Sequence, residues 1–286
     1  MKIEAHPKIY TAGSRNVRDI FHGTVQVSEK LDGSQFSFGM IGGELQCRSR
    51  GRIITADNVD KNFKEAWDHV QSIKEKLPED LVFYCECICK LKHNHLRYGR
   101  KPLNSLVLFG VLTYSTGRFH SSSLKEYADL LHVDPVRILY TGNSGIEHAR
   151  SLIEESMLGG CKAEGVVVKF YGLSGLLTAK IVRDDFKEVS NNTKNTRSPD
   201  NAWQLYKESH CTEARWRKSV QRLRDNGSLT ESPSDIGPLI ADIKKDIIEE
   251  EEDNIKQWLW DKYHKELLEA SIQGFPLWYK SNLEIT

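Results

Sequence analysis

Along the first two thirds of the chain, apolar and polar residues alternate in short runs. "GTVQVSEKL", "QFSFGMI", "GELQCRSR", "DLVFYCECI", "SLVLFGVLTY", "EGVVVKF" and "LLTAKIV" all show it, mostly separated by Gly or Asn turns. Period-two runs bounded by turn residues read as strands. Three stretches between them follow the helical period instead. "NVDKNFKEAWDHVQSIKEKL" places Phe63, Trp67, Val70 and Ile73 on one face, and "SSLKEYADLLHV" and "GIEHARSLIEESML" repeat that spacing. Ser123 and Asn143-Ser144 are candidate N-caps.

Beyond about residue 190 the alternation stops. "VSNNTKNTRSPDN" is polar and reads as a linker or surface loop. "AWQLYKESHCTEARWRKSVQRL" reads as basic helix, "DNGSLTESPSDIGP" as a turn-rich break, and a long helix follows with Ile240, Ile243, Ile247, Ile255, Leu259, Tyr263 and Leu267 near helical period. Its "EEEED" block at 249–253 reads as a solvated face. The pattern therefore predicts an α+β architecture, with an antiparallel-sheet domain over residues 1–195 and a small all-helical domain over 196–286.

Composition narrows this only a little. The 286 residues hold 40 Lys+Arg and 40 Asp+Glu, so net charge neither suggests nor excludes a polyanionic partner. No apolar stretch is long enough for a membrane span, and "MKIEAHPKIY" lacks the apolar segment of a signal peptide. Six cysteines without a spaced framework suit a reducing, cytoplasmic setting. "CECICKLKHNH" crowds cysteines and histidines together but lacks the paired spacing of structural zinc sites. If Glu86 faces a ligand, alternation turns Cys85, Cys87 and Cys89 the other way, into a core.

Several charges sit where strands should be apolar. Lys30 ends a strand just before Asp32-Gly33, Glu86 interrupts "FYCECI", Glu164 precedes "GVVVK", and Lys169 and Lys180 lie within strands. Asp-Gly is itself a hairpin signal, which would make Lys30 a solvated strand end. Lysine beside close-packed backbone is also a candidate nucleophile, and a carboxylate buried in a strand needs a partner.

The order of these pieces resembles the covalent nucleotidyltransferases, the superfamily of polynucleotide ligases and capping enzymes. "EKLDG" matches the K-x-D-G nucleophile motif, with Glu29 before it and Lys30, Asp32 and Gly33 within it. "RSRGR" supplies Arg50 where the RNA ligase branch has a phosphate-binding arginine. The resemblance gives Glu86 the nucleoside sugar, Phe109 of "LFGVL" the base, Glu164 of "EGVVVK" a place near the metal, and Lys169 and Lys180 the phosphates. Three positions depart from the usual pattern: Tyr84-Cys85 stands where a glycine is usual, Gly110 where an acid is common, and Val182 where a second lysine is often found.

A helical tail in place of an OB barrel makes the chain most similar to phage-type ATP-dependent RNA ligases. The resemblance implies ATP, Mg2+ or Mn2+, a lysyl-AMP intermediate, and an RNA partner that could include nicked duplex or hybrid. It implies a monomer in the cytoplasm. A compact DNA ligase, a guanylyltransferase and a non-catalytic end-binding protein stay open as alternatives. Arg215, Arg217 and Lys218 of "RWRKSVQRLR" are candidate phosphate-backbone contacts. Since every chemical motif precedes residue 195, the tail is expected to serve the polynucleotide and not the nucleotide.

Overall fold

Two sheets carry the alternating runs. The computed structural model describes residues 2–122, 124–172, 175–187 and 199–283, so the N-cap candidate Ser123 and most of the "VSNNTKNTRSPDN" linker lie outside the described residues. The strands are β1 (Tyr10–Thr11), β2 (Val25–Lys30), β3 (Ser34–Ile41), β4 (Glu44–Ser49), β5 (Ile53–Ile54), β6 (Leu81–Cys87), β7 (Leu106–Thr113), β8 (Arg118–Phe119), β9 (Asp134–Pro135), β10 (Ile138–Gly142), β11 (Gly165–Gly172) and β12 (Gly175–Val182). One five-stranded sheet runs β1-β12-β11-β2-β10. A seven-stranded sheet runs β5-β4-β3-β6-β7-β8, with β9 alongside β7. All pairings are antiparallel except β1 with β12 and β9 with β7.

The seven strands foreseen from alternation are all present. The five shorter ones have only two to five residues, too few for a period to register.

Each sheet buries one face. Val25, Val27, Val166, Val168, Ala179 and Ile181 of the five-stranded sheet pack with Val17, Ile20 and Ala149. Phe36, Phe38, Phe83, Cys85, Cys87 and Leu108 of the other sheet join a larger core that includes Phe63, Ala66, Val70, Ala128 and Leu131. These last residues belong to or flank the helices α1 (Lys64–Ile73) and α2 (Leu124–Leu131). The second face of the seven-stranded sheet carries a smaller cluster of Ile3, Ile41, Val82 and Tyr84, and the second face of the five-stranded sheet holds polar strand residues.

Helices depart from the periodic reading where side chains compete. The helix α3 (Ile146–Ser151) stops seven residues short of the end of its periodic stretch. The buried carboxylate of Glu29 takes the Ser156 hydroxyl at 2.5 Å and the Met157 N–H at 2.8 Å, and that segment turns back so that Ser156 N pairs with Cys161 O instead of continuing the helix. Gly145 is the N-cap of α3, without a side-chain capping bond, in place of Asn143-Ser144. The basic stretch after 199 is two helices, α4 (Pro199–Ser209) and α5 (Glu213–Asp225), because the Thr212 hydroxyl caps the second by accepting from Arg215 N. Then come α6 (Ile236–Ser271) and α7 (Phe275–Leu283).

The sheets end at Val182 and everything described after Pro199 is helical, so the compositional shift near 195 marks the last strand. Compactness divides the chain elsewhere: Met1–Ile240 forms one unit and Ala241–Thr286 another. Helices α4 and α5 therefore belong with the sheets. Among the described residues no helix is long and apolar enough to cross a membrane.

Candidate active site

The strand β2 does not fold back on β3. It pairs with β11 and β10, whereas β3 pairs with β4 and β6, so Leu31-Asp32-Gly33 carries the chain from one sheet to the other. The hairpin reading of Asp-Gly therefore does not hold, and tight packing explains the glycine. A Cβ on Gly33 would lie 2.6 Å from Cys87 O and 2.8 Å from Glu86 Cγ. The Gly33 N–H instead donates to Glu86 Oε1 at 2.9 Å, fixing that carboxylate beside the crossover.

Register sets the polar residues of the five-stranded sheet in three rows. Lys30 faces Gly165, which faces Val182; Ser28 faces Val167, which faces Lys180; Gln26 faces Lys169, which faces Thr178. All point away from the apolar side because strand side chains alternate. Gly165 is required by closeness, since a Cβ there would stand 2.2 Å from Ile181 O. In the first row Lys30 Nζ donates to Glu164 Oε2 at 2.7 Å. The third row reaches the other sheet, where Lys169 Nζ donates to Phe109 O and lies 5.6 Å from the centre of the Phe109 ring. Lys30, Glu164, Lys180, Lys169, Glu86 and Phe109 thus line one cleft between the sheets.

The surroundings of Lys30 act on its pKa in opposite directions. Burial does pull it down, but Glu164 and Glu86, with the Glu164 hydrogen bond, outweigh burial and Lys180 and leave the pKa raised. Lys30 is therefore an ammonium locked to a carboxylate. Glu164 is raised as well, by burial and by nearby Asp32, against the pull of Lys30 and Lys180. Burial pushes Glu86 up to about 8, with Lys30 and the Gly33 N–H opposing.

Lys169 lies four register positions from Lys30, about 13 Å along the strand at the usual rise. It contacts Phe109 and not the Lys30–Glu164 pair. Burial lowers its pKa to about 8. His6 stands edge-on to Phe109, Tyr84 and Phe119, with ring centres 5.1 to 5.5 Å apart. Burial, Lys169 and Arg50 lower His6 to about 3, so it is neutral. Arg50 is exposed at the end of β4. Arg183 pairs with Asp185 at 3.1 Å and lies over the Phe186 ring, which leaves Lys180 as the cation coupled to Lys30.

Three expected site residues turn elsewhere. Glu29 points to the opposite side of β2 from Lys30 and is held by Ser156, Met157 and Arg137, the last at 3.3 Å. Asp32 Oδ2 accepts the N–H groups of His95 and Leu96, each at 2.7 Å, and so ties down the "KLKHNHLRY" segment. Arg215 is fully buried, so a solvent-facing stripe cannot include it. Arg217 stays half-exposed, pairs with Glu213 at 2.7 Å and donates to His95 Nδ1; Lys218 is partly exposed.

Further side chains from the "KLKHNHLRY" segment and from α5 complete the site. Tyr98 Oη accepts from Asp32 N at 2.7 Å, and Asn94 Nδ2 and Gln221 Nε2 both donate to Gly33 O. His93 Nδ1 accepts from Cys89 N at 3.2 Å, which leaves its Nε2–H to donate to Ser34 Oγ at 3.0 Å, and Ser34 Oγ donates to Asp225 Oδ1 at 2.8 Å. Cys85 and Cys87 lie in the core opposite Glu86, as alternation requires.

Hard carboxylate oxygens beside Lys30 suit a divalent cation such as Mg2+ or Mn2+. Glu164 offers one oxygen not engaged by Lys30, and Glu86 and Asp32 are its acidic neighbours. Among the described residues no three or more His, Cys, Asp or Glu form a cage on their own. That fits an ion held by one or two carboxylates together with substrate phosphates.

Comparison with known proteins places this geometry. The family model described as RNA ligase matches residues 23–182. Naegleria gruberi RNA ligase with PPi superposes with a TM-score of 0.51 at 16% identity, covering 64% of this chain and 57% of that one. A lysine-to-alanine variant of the same ligase with ATP and Mn gives 0.51 at 15% identity over 64% and 57%. An arginine-to-alanine variant with ATP and Mn gives 0.50 at 19% over 64% and 56%. At these identities the likeness is one of fold, and this chain spans little more than half the length of those solved ligases. No curated protein sequence matches it. The family match runs from the start of the nucleophile strand to the end of β12, more than half of the 286 residues, and the chain belongs to the RNA ligase family.

Proposed function

We propose that the protein is an ATP-dependent RNA ligase that joins 5′-phosphate and 3′-hydroxyl ends through a lysyl-AMP on Lys30. The observation carrying this reading is the Lys30–Glu164 pair, with Lys180 coupled to it, on a cleft whose opposite wall holds Glu86 and Phe109. The Naegleria ligase structures with PPi and with ATP and Mn support the same chemistry.

Lys30 must first lose a proton, and Glu164 Oε2 is the acceptor already in contact with Nζ. The free amine then attacks the α-phosphorus of ATP, forming a P–N bond as the P–O bond to pyrophosphate breaks. Lys180 and Arg50 are the cations available to the phosphates. A 5′-phosphate oxygen next displaces Lys30 and takes the AMP, and a 3′-hydroxyl attacks that end and releases AMP. Glu164, with Glu86 and Asp32 near it, would hold the divalent ion, whose chemistry is to neutralise charge on the phosphates. Phe109 offers its face to the base and Glu86 its carboxylate to the sugar. Arg217, Lys218 and the exposed Arg224 of α5 are placed for a polynucleotide backbone. A monomer acting in the cytoplasm, on single strands, nicked duplex or hybrid, completes the reading.

Incubation with α-labelled ATP and Mg2+ or Mn2+ should give an acid-stable labelled protein, and chase with 5′-phosphorylated RNA should move the label to RNA and then to AMP. Parallel sealing of nicked RNA, nicked DNA and hybrid identifies the strand preference. Labelling by GTP but not ATP, or labelling without transfer to RNA, would overturn the assignment.

A further inference from the structure

Helix α5 lies outside the segment matched by the RNA ligase family, which ends at residue 182, yet it closes over the nucleophile crossover. Two contacts join the helix to the crossover, and two more tie it to β4 and to the His95 segment. Gln221 Nε2 donates to Gly33 O, and the Asp225 carboxylate accepts the Ser34 hydroxyl at 2.8 Å. Asp225 O accepts from Ser49 Oγ at 3.3 Å, and Arg217 donates to His95. The seat is tight at the end of the helix: a Cβ on Gly51 would stand 1.6 Å from Asn226 Oδ1, and one on Gly227 would stand 2.5 Å from Arg52 Nη1.

These contacts converge on the stretch between Lys30 and β3. Gly33 is held from both sides, its N–H by Glu86 and its carbonyl by Asn94 and Gln221. Ser34 is the middle of a one-way chain from Cys89 N–H through His93 and Ser34 to Asp225. The direction is fixed by the neutral state of His93, which burial lowers to about 4. Asp225 is the terminal acceptor, and it is supplied only by α5.

We propose that Gln221 and Asp225 of α5 are positioning residues for nucleotidyl transfer, setting the Lys30-to-Ser34 crossover on which Lys30 and Glu86 depend. Neither touches the reacting atoms. They act through Gly33 and Ser34, three and four residues after Lys30 at the end of β2, so a shift of the crossover displaces Nζ relative to Glu164. Misplacement of about 1 Å at a reacting group costs on the order of 10²-fold in rate. The helix that carries Arg217 and Lys218 toward a polynucleotide is thereby part of the nucleotide site, and residues 1–195 are not sufficient for self-adenylylation. This inference rests on the lysyl-AMP reading.

The test measures the rate of lysyl-AMP formation against ATP concentration in the full chain. Gln221→Ala and Asp225→Ala should each lower the rate at saturating ATP about tenfold or more, with a smaller change in the ATP concentration giving half-maximal rate. Asp225→Asn keeps an acceptor for Ser34 and should recover most of that loss. Ser34→Ala combined with Asp225→Ala should cost little more than either alone, since both break the same chain. If Asp225→Ala does not fold, Gln221→Ala alone decides, because the carbonyl it serves keeps Asn94. Folded variants that label at the wild-type rate, with their melting temperatures shifted or not, would overturn the proposal. A wild-type chain that labels with no nucleotide would instead refute the lysyl-AMP reading and this inference with it.

Discussion

Lys30 and Lys169 stand on the same face of the same sheet, and burial acts on both, yet their pKa values move in opposite directions. Lys30 has Glu164 in contact and Glu86 nearby, and these carboxylates outweigh its desolvation. Lys169 contacts the Phe109 carbonyl and ring, and desolvation lowers it to about 8. A buried ammonium without a counter-charge is costly, whereas one paired with a carboxylate is held in place. Lys30 therefore rests as an ion pair, with Glu164 both the partner that holds its proton and the acceptor in contact with it. Lys169, in contrast, gives up its proton more readily than an ordinary lysine and donates to the Phe109 carbonyl.

Removing Lys30 breaks the comparison most severely. Lys30→Ala should abolish covalent labelling, a loss of at least about 10³-fold, because it removes the amine that Glu164 holds. Labelling that persists in this variant and maps to Lys169 would exchange the roles of the two lysines. Next comes Glu164→Gln, which keeps the shape and removes the counter-charge. It should slow lysyl-AMP formation on the order of 10²-fold through loss of the cation's ligand. It should also make Lys30 in the unliganded protein react faster with a small acylating reagent, because its strongest stabilising partner is gone. Unchanged acylation would mean that the ion pair does not hold the proton.

How far the sequence revealed this site depended on whether a residue acts within a strand or across the fold. Lys30, Glu86, Glu164 and Lys180 interrupt alternating runs, and a charge at a buried strand position is conspicuous in one dimension. The direction in which they point follows from the period of two, which also sent Cys85 and Cys87 into the core. The same rule could have shown that Glu29 must face away from Lys30, its neighbour in β2. Asp225, Gln221 and His6 left no such trace. Asp225 is the last residue of a charged helix, where an aspartate looks solvated, and it is buried where the helix end meets Ser34, Ser49 and Gly51. Arg215 misled for the mirror reason: among several arginines on one helix, periodicity alone did not tell which one would be buried. The separation of Lys169 from Lys30 likewise depends on register, which fixes it four positions away.

A third substitution sharpens the comparison from the other end of the cleft. Lys169→Met removes the ammonium and keeps the length of the side chain. Replacing an uncompensated buried cation by an apolar chain of similar volume should stabilise the fold by about 1 kcal/mol, or about 2–4 °C in melting temperature for a chain of this size. The ATP concentration for half-maximal labelling should rise about tenfold, the rate at saturation changing less, since Lys169 is remote from Nζ of Lys30. A large fall in the saturated rate with unchanged affinity would place Lys169 on the phosphates after all.

The smallest expected effect concerns Asp225, which repeats the problem of Lys169 with the charge reversed. Burial pushes its carboxyl up to about 7, against the Ser34 hydrogen bond and the charges of Arg224 and Arg52, while Asp60 adds to the rise. A carboxyl raised on folding favours the folded state while it is protonated. That contribution is complete below its ordinary value near 3.8 and is lost as pH rises through about 7. Asp225→Asn removes the titration and keeps an acceptor for Ser34, so the mutant should gain on the wild type as pH increases. The wild-type melting temperature minus that of Asp225→Asn should fall by a few degrees between about pH 4 and pH 7.5 and then level off. Glu29, Glu86 and Glu164 are also raised and give both proteins a common slope, which the difference cancels. Parallel melting curves across that window would mean that Asp225 is ionised throughout, its charge held by Arg224 and Arg52. The chain from His93 to Asp225 would then end on a full carboxylate at every pH, as Lys30 ends on Glu164.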